Sequence, residues 1–233
     1  MKPSAPMPPS DTLPNPTAGA AHTRAEVVPV SLQNPDPDVV KRAADVLASG
    51  GLVAFPTDTL YAIGVVLGNA AAAERIRRLR GIDTSKRPFT LMLPDVGTLP
   101  HYAKVSETAY RVVDKIFPGP YCVELPVGPK ALGKPGFERD TLGLRIPASP
   151  LCSKIMWRLG RPIVSVTAKS KGDGATDGKT LSTAAEIADV YGEGLDLILD
   201  GGEQTGLPST VISLVDDWVV VLRAGRGSTA NIR

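Results

Sequence analysis

Short apolar runs in this sequence end in segments rich in hydroxyl and cationic side chains, which are groups that bind phosphate and carboxylate oxygens. The first such segment, FPTDTLYAIG at residues 55–64, places Thr57, Thr59 and Tyr61 directly after an apolar run. A turn capped by the Asp58 carboxylate explains the same residues without any ligand. The segment therefore predicts either a turn or the wall of a small-molecule pocket.

Four more segments of this kind follow along the chain, and they carry further candidate site residues. In open α/β sheets ligands bind in the crevice beyond the strand ends, so these segments are expected to face one site. Each also has an ordinary explanation, since an outward arginine on a half-buried strand or a lysine in a loop is common. The candidates are Arg145 in LGLRIP, Thr167 and Lys169 in SVTAKSKG, Ser209 in LPST, and Arg223 in VLRAG.

Several familiar signatures are missing from the sequence, which narrows the chemistry. No GxxxxGK[ST] phosphate loop, GxGxxG dinucleotide fingerprint or GxSxG nucleophile elbow occurs. His22 and His101 are isolated, and Cys122 and Cys152 show no metal-ligand spacing, so no metal site is predicted. A nucleotide enzyme with this sequence would hold phosphates with scattered arginine, lysine and hydroxyl groups.

The bulk composition is that of an ordinary soluble globular protein, with 233 residues, 42% hydrophobic and 21% charged. A formal net charge of +2 is too small to require nucleic acid or a membrane surface as a partner. No apolar run approaches the ~20 residues that cross a bilayer, and the first residues lack the apolar stretch of a signal peptide. A cytoplasmic protein without membrane contact is expected.

Residues 1–25 are rich in proline, serine, threonine and alanine and poor in large apolar side chains. Such a segment cannot bury enough apolar surface to fold, so a disordered N-terminal tail is predicted. Over residues 26–233 short β-rich runs alternate with helical patterns, without an internal repeat. This alternation predicts a single α/β domain with a mixed or partly parallel sheet.

Cap residues and periodic apolar positions predict five helices, which begin after Pro37-Asp38, Asn69, Ser106, Ser149 and Thr183. Gly81 ends the second helix, and Thr183 with Glu186 forms a capping box at the start of the fifth. Strands are predicted at residues 52–55, 89–93, 121–127, 142–146, 162–167, 195–199, 210–214 and 219–223.

Taken in order, GGLVAFPTDTLYAIG, PGPY, LGLRIP, SVTAKSKG, LPSTVISL and VLRAG make the chain resemble the YrdC/YciO family of threonylcarbamoyl-adenylate synthases, and it is nearer to the YciO branch. The resemblance implies a twisted mixed β-sheet with flanking helices around a large, basic central cavity. It also implies condensation of ATP, L-threonine and bicarbonate to threonylcarbamoyl-AMP and pyrophosphate, for tRNA modification. Mg2+ would arrive with the nucleotide, and some members bind tRNA or double-stranded RNA.

The same resemblance implies roles for individual side chains. Catalytic contacts would come from Arg80, Thr167 and Lys169. Substrate contacts would come from Thr57, Thr59, Tyr61 and Ser209, with Thr57 as the principal contact and Asp58 structural. ATP contacts would come from Lys86, Arg87, Arg145 and Arg223.

The sequence departs from the family pattern in several places. The family's Lys-x-Arg has Ile82 in place of its arginine, with Lys86 or Arg87 as the candidate replacement, and its Ser-x-Asn becomes Thr-Ala-Lys at residues 167–169. Losing a phosphate-binding arginine costs about two to three powers of ten in rate. Three hypotheses follow: a weak synthase, an RNA- or nucleotide-binding protein without efficient turnover, and an enzyme that uses the same fold on an unrelated substrate.

Overall fold

The structure is a computed structural model that describes residues 24–81, 89–135, 137, 139–171, 178–230 and 232. Helices and strands alternate along most of these ranges, and a 3-10 helix at Val96–His101 precedes the third helix. In chain order the elements are β1 Glu26–Pro29, α1 Pro37–Ala48, β2 Val53–Pro56, β3 Tyr61–Val66, α2 Ala70–Arg80, β4 Thr90–Met92, α3 Glu107–Ile116, β5 Tyr121–Pro126, β6 Thr141–Arg145, α4 Pro150–Leu159, β7 Ile163–Thr167, α5 Ala184–Tyr191, β8 Leu197–Asp200, β9 Thr210–Ser213 and β10 Val220–Arg223.

The ten described strands form one mixed sheet in the order β1-β8-β2-β3-β7-β4-β6-β5-β9-β10. Neighbouring strands are parallel in the pairs β1 with β8, β8 with β2, β4 with β6, and β5 with β9. The remaining five pairs are antiparallel. The predicted α/β class with a mixed sheet is confirmed.

Four of the five α-helices begin at the predicted cap residues, which satisfy backbone N–H groups that have no partner inside a helix. Helix α1 begins slightly earlier than predicted, at Pro37, and its cap is Asp36. The Asn69 side chain accepts a hydrogen bond from the backbone N–H of Ala72 at 3.0 Å, and Gly81 ends α2 in the left-handed conformation. Thr183 and Glu186 form the capping box of α5. These local signals are independent of the tertiary fold, which is why the sequence predicts them well.

Helices cover both faces of the sheet and bury two clusters of apolar side chains. One cluster joins α1 and α4, through Leu47 and Ile155, to Phe55 of β2. The other joins α2, α3 and α5 to the opposite face, which receives Ala54 from the same strand. Successive side chains of a strand point to opposite faces, so β2 contributes to both clusters.

Strands β1 and β3 are not among the strands predicted from the sequence. Every residue of β3 is buried, so its sequence YAIGVV shows no alternation of polar and apolar side chains. Strand β1 is a four-residue edge strand whose charged Glu26 lies at the surface. A strand paired on both sides and a short edge strand both lack the half-buried pattern on which strand prediction depends.

Residues 1–23 of the predicted tail lie outside the described residues. Described contacts begin at Arg24, which forms an ion pair with Asp189 at 2.8 Å, and at Ala25, whose N–H donates to the Gly192 carbonyl at 2.7 Å. The last two residues of the predicted tail, Arg24 and Ala25, thus already contact the domain. Within the described ranges, none of the helices combines the length and apolar character required to span a bilayer.

Candidate functional site

A cavity of about 520 Å³ lies against β4, β6 and β5. Alternate residues of each strand line it, namely Thr90 and Met92 from β4, Gly143 and Arg145 from β6, and Cys122 and Glu124 from β5. The intervening residues, Leu91, Leu144 and Val123, are fully buried in the core on the other face. The sheet thus forms the floor of the cavity. Because successive residues of a strand point to opposite faces, every second residue lines the cavity and the residues between them pack in the core.

Gly143 keeps the floor of the cavity open. A Cβ atom at this position would lie 3.1 Å from the Cys122 sulfur, which is closer than ordinary van der Waals contact. Burial raises the pKa of the Cys122 thiol, so this side chain is a neutral part of the floor rather than a thiolate nucleophile.

Most of the candidate site residues meet at this cavity. Those that line it are Thr59, Tyr61, Arg80, Arg145, Thr167, Lys169, Ser209 and Arg223. Thr57 is buried beside the cavity but does not line it, and Lys86 and Arg87 lie outside the described residues, as does Ile82. The lining residues come from segments that are widely separated in the chain, and the fold brings them together around one space.

Arg145 is a firmly positioned cation of the cavity. Its guanidinium Nη2 donates to the Asp58 carboxylate at 2.7 Å and to the Thr59 hydroxyl at 3.1 Å. The side chain is 90% buried, and its Nε makes no hydrogen bond with any described residue. A buried donor without a partner is costly, so an oxygen-bearing ligand in the cavity would stabilise this arginine.

Residues of the turn between β2 and β3 have different roles: some stabilise the turn and others line the cavity. The Thr57 hydroxyl donates to the Leu60 carbonyl at 2.7 Å and accepts from the Thr59 N–H at 3.1 Å, so it stabilises the turn itself. Asp58 pairs with Arg145 and also accepts from the Ala148 N–H at 3.0 Å. Thr59 lines the cavity and Thr57 does not. The contact between Thr57 and substrate stays a prediction.

Tyr61 lines the cavity and fixes the loop after β8. Its hydroxyl donates to the Gly202 carbonyl at 2.8 Å and accepts from the Gly201 N–H at 3.0 Å. Burial is the main cause that raises the pKa of Tyr61 to about 12, so the hydroxyl stays neutral at physiological pH. The side chain is therefore a rigid part of the wall.

Arg80 holds the segment that follows β7. Its Nη1 donates to the backbone carbonyls of Lys169 and Ser170 and to the Tyr191 hydroxyl, the last two at 2.8 and 3.0 Å. Tyr191 in turn donates to the Lys169 carbonyl at 2.6 Å. This network positions Thr167 and Lys169 at the cavity, and the catalytic role of Arg80 stays a prediction.

Arg223 approaches the cavity from the last strand of the sheet. It is exposed, and its Nη2 donates to the Ser209 carbonyl at 2.9 Å. The neighbouring Thr210 hydroxyl donates to the Gly227 carbonyl at 2.6 Å and accepts from the Gly225 N–H at 3.0 Å. These bonds hold the LPST and VLRAG segments side by side, as a shared site requires.

Comparison with known proteins assigns the family. The model of the Sua5/YciO/YrdC family, described as telomere recombination, matches residues 45–225. This chain belongs to the Sua5/YciO/YrdC family. Its similarity to YciO of Escherichia coli reaches 34% identity over 196 residues, which is 83% of this chain and 92% of YciO. The crystal structure of Escherichia coli YciO matches with a TM-score of 0.78 at 31% identity and covers 88% of this chain and 98% of that chain.

Synthases of the Sua5/YciO/YrdC family are also similar to this chain. A threonylcarbamoyl-AMP synthase of Bacillus subtilis is 32% identical over 198 residues, or 83% of this chain and 55% of the synthase. The crystal structure of Pyrococcus abyssi Sua5 complexed with L-threonine matches with a TM-score of 0.73 at 27% identity, over 86% of this chain and 58% of that chain. This chain therefore spans about half the length of those two synthases. The predicted family is confirmed.

Several residues that line the cavity are not among the site residues predicted from the sequence. They are Thr90, Cys122, Glu124, Arg139 and Ser165. The alternation of Cys122 and Glu124 with apolar neighbours in YCVEL is the signal that could have found two of them. Glu124 accepts a hydrogen bond from the Thr141 hydroxyl at 2.7 Å, and Arg139 adds another cation.

The described lining is suited to an anion rather than to a resident metal ion. The cationic side chains on it are Arg80, Arg139, Arg145, Lys169 and Arg223. Within the described ranges, no group of three or more His, Cys, Asp or Glu side chains is placed to hold a metal ion. Arginine side chains and hydroxyls can hold phosphate and carboxylate groups without a phosphate loop.

Proposed function

We propose that this protein is a threonylcarbamoyl-AMP synthase-type enzyme. It condenses L-threonine, bicarbonate and ATP into threonylcarbamoyl-AMP and pyrophosphate, for modification of adenosine in tRNA. The observation that carries the proposal is the buried Arg145, oriented by Asp58 and Thr59, with an Nε donor that has no partner among the described residues. Family membership and the similarity to synthases support it.

The cavity has the size and polarity that this reaction needs. Small-molecule sites have volumes of about 300–1,000 Å³, and the cavity measures about 520 Å³. Three hydroxyl-bearing residues, Thr59, Thr167 and Ser209, line the same cavity as Arg145 and Arg223. An adenylated amino-acid derivative presents both phosphate and carboxylate oxygens to such a lining.

The reaction requires positioning and charge neutralisation more than covalent work by the protein. The neutral amine of threonine attacks the carbon of CO2 and loses one proton, or attacks bicarbonate with loss of water. Either route gives a carbamate that keeps one N–H. A carbamate oxygen then attacks the α-phosphate of ATP, and pyrophosphate leaves. Arg145 and Arg223 neutralise phosphate charge, Mg2+ arrives with the nucleotide, and the hydroxyls orient the amino acid.

Pyrophosphate release tests this function directly. The full chain with ATP, L-threonine and bicarbonate is expected to release pyrophosphate, and omission of either co-substrate should abolish it. Turnover should be slow, because the catalytic signature is incomplete at Ile82. Release no greater than that of the Arg145→Ala variant, at high enzyme concentration, would exclude the synthase.

An RNA- or nucleotide-binding protein without efficient turnover is the second candidate. The observation that favours it is the set of cations Lys169 and Arg139 on the cavity wall, where charge serves binding as well as catalysis. Binding to tRNA or duplex RNA should then weaken steeply with salt, since cations that contact phosphates displace counterions. Salt-dependent RNA binding with no ATP consumption would favour this candidate over the synthase.

A further inference from the structure

Exposed apolar side chains are concentrated at the β10 end of the sheet. Of the ten large apolar side chains that are exposed in the described ranges, five lie in or beside this region. Trp218 is 64% exposed, Leu222 53% and Leu207 60%, and Val220 and Val221 are exposed between them. A concentration of exposed apolar side chains at one edge of a sheet indicates an interaction surface.

Strand β10 is also an open edge of the sheet. Within the described chain it pairs with β9 alone, so the backbone groups on its outer side have no strand partner. The opposite edge, β1, is protected by Pro29 and by Glu26, which pairs with Arg42. Strand β10 has no proline and no charge before Arg223, and an unprotected apolar edge pairs readily with another strand.

The charges around β10 favour a second copy of the same strand. Asp216 and Asp217 precede the apolar residues, while Arg223 and Arg226 follow them. In an antiparallel pair related by a twofold axis, the acidic end of each strand lies beside the basic end of the other. The same carboxylates, next to Trp218, would repel nucleic acid phosphates.

The N-terminal segment is a poorer occupant for this surface. Residues 1–23 contain just three large apolar side chains, Met1, Met7 and Leu13, among many prolines. Such a composition offers little apolar area to cover Trp218 and Leu222.

We propose that two copies of this protein associate through antiparallel β10 strands, with the twofold axis near Val220 and Val221. A register shift between Val221 and Arg223 confines regular pairing to the residues before it, so much of the contact comes from side chains such as Trp218. Leu222 and Arg223 line the cavity, so the partner strand comes to lie beside the cavity mouth. This association does not depend on the proposed reaction.

Sedimentation of the full chain over a wide concentration range tests the association. The wild type is expected to sediment as a dimer, and Val221→Lys as a monomer, because a charge on the edge opposes pairing. The matched control is Val27→Lys, at an equally exposed valine on the opposite edge, which should leave the dimer unchanged. A wild type that stays monomeric throughout, or a dimer lost in Val27→Lys and kept in Val221→Lys, would overturn the proposal.

A charge exchange tests the orientation with variants that keep the apolar strand intact. Arg226→Asp should weaken the dimer about tenfold or more, since two acidic ends then face each other. Adding Asp216→Arg to the same chain should restore it. A double variant no tighter than the single one would contradict the antiparallel twofold arrangement. A monomer whose tRNA binding is lost in Trp218→Ala would assign the surface to RNA and overturn the proposal.

Discussion

Arg145 and Arg223 line the same cavity but differ in burial and in hydrogen-bond partners. Arg145 belongs to a central strand, is 90% buried, and is held by a carboxylate and a hydroxyl. Arg223 belongs to the exposed edge strand and donates to a backbone carbonyl, that of Ser209. A buried, oriented cation acts on an anion without reorganising, whereas an exposed one attracts the anion but is screened by water and salt. The difference predicts unequal roles for two residues that look alike in the sequence.

Replacing Arg145 with alanine should have the largest effect. Asp58 would remain buried without its cation, which costs roughly 3–5 kcal/mol of unfolding free energy. Pyrophosphate release should fall by about two to three powers of ten, because a donor to phosphate is lost. Urea unfolding and turnover measure the two effects, with Arg158→Ala on the exposed side of α4 as control. Equal stability of the two variants would show that the Asp58 contact contributes little.

Replacing each arginine with lysine distinguishes the contribution of charge from that of side-chain geometry. A lysine ammonium keeps the charge but lacks the planar fork in which Nη2 of Arg145 contacts Asp58 and Thr59 while Nε remains as a further donor. Arg145→Lys should therefore lose about tenfold or more in kcat/KM, while Arg223→Lys keeps most of the wild-type value. Steady-state kinetics with ATP as the varied substrate makes the comparison. Similar losses at both positions would contradict the distinction between an oriented and an exposed cation.

Arg223→Ala should weaken ATP binding without affecting stability. An exposed charge contributes through screened attraction, so the loss of ATP affinity should be greatest at low salt and shrink as salt is added. The free energy of unfolding should stay within about 0.5 kcal/mol of the wild type. Titration calorimetry at several salt concentrations, with urea unfolding beside it, checks both statements. A salt-independent loss would mean that Arg223 is desolvated when ATP is bound.

A test at Tyr61 leaves both arginines unchanged. Its pKa is raised from 10.0 to about 12 in the folded protein, mainly by burial. The stability that comes from the neutral hydroxyl is full below pH 10 and is lost as the pH rises towards 12. The wild type should thus lose more stability than Tyr61→Phe between these pH values. Urea unfolding of both proteins at each end of this range measures the difference, and equal losses would contradict it.

The sequence predicts local structure and the order of site segments, because both depend on nearby residues. Asn69, Ser149 and Thr183 cap helices where expected, since a cap satisfies backbone groups within one turn. The resemblance places Arg145 and Arg223 correctly at strand ends, and both line the cavity.

Side-chain direction at the turn could not be predicted from sequence. Thr57 and Thr59 are two residues apart in one turn, yet one hydroxyl bonds to the backbone and the other faces the cavity. The sequence also conceals Glu124, because its contact with Thr141 depends on how β5 pairs with β6. Such assignments need the register of strands, which long-range packing determines.

Asp58 joins two parts of the chain that are far apart in sequence, the turn after β2 and the segment between β6 and α4. It bonds to Arg145, 87 residues away, and to the N–H of Ala148, 90 residues away, just before α4 begins. These contacts bring together segments 87 and 90 residues apart, so they exist only when both segments are in their folded positions. A ligand held by Arg145 would stabilise the contacts that Asp58 makes with Arg145 and with the Ala148 N–H. The occupied cavity should delay hydrogen exchange at the Ala148 amide, so the start of α4 reports binding from outside the cavity.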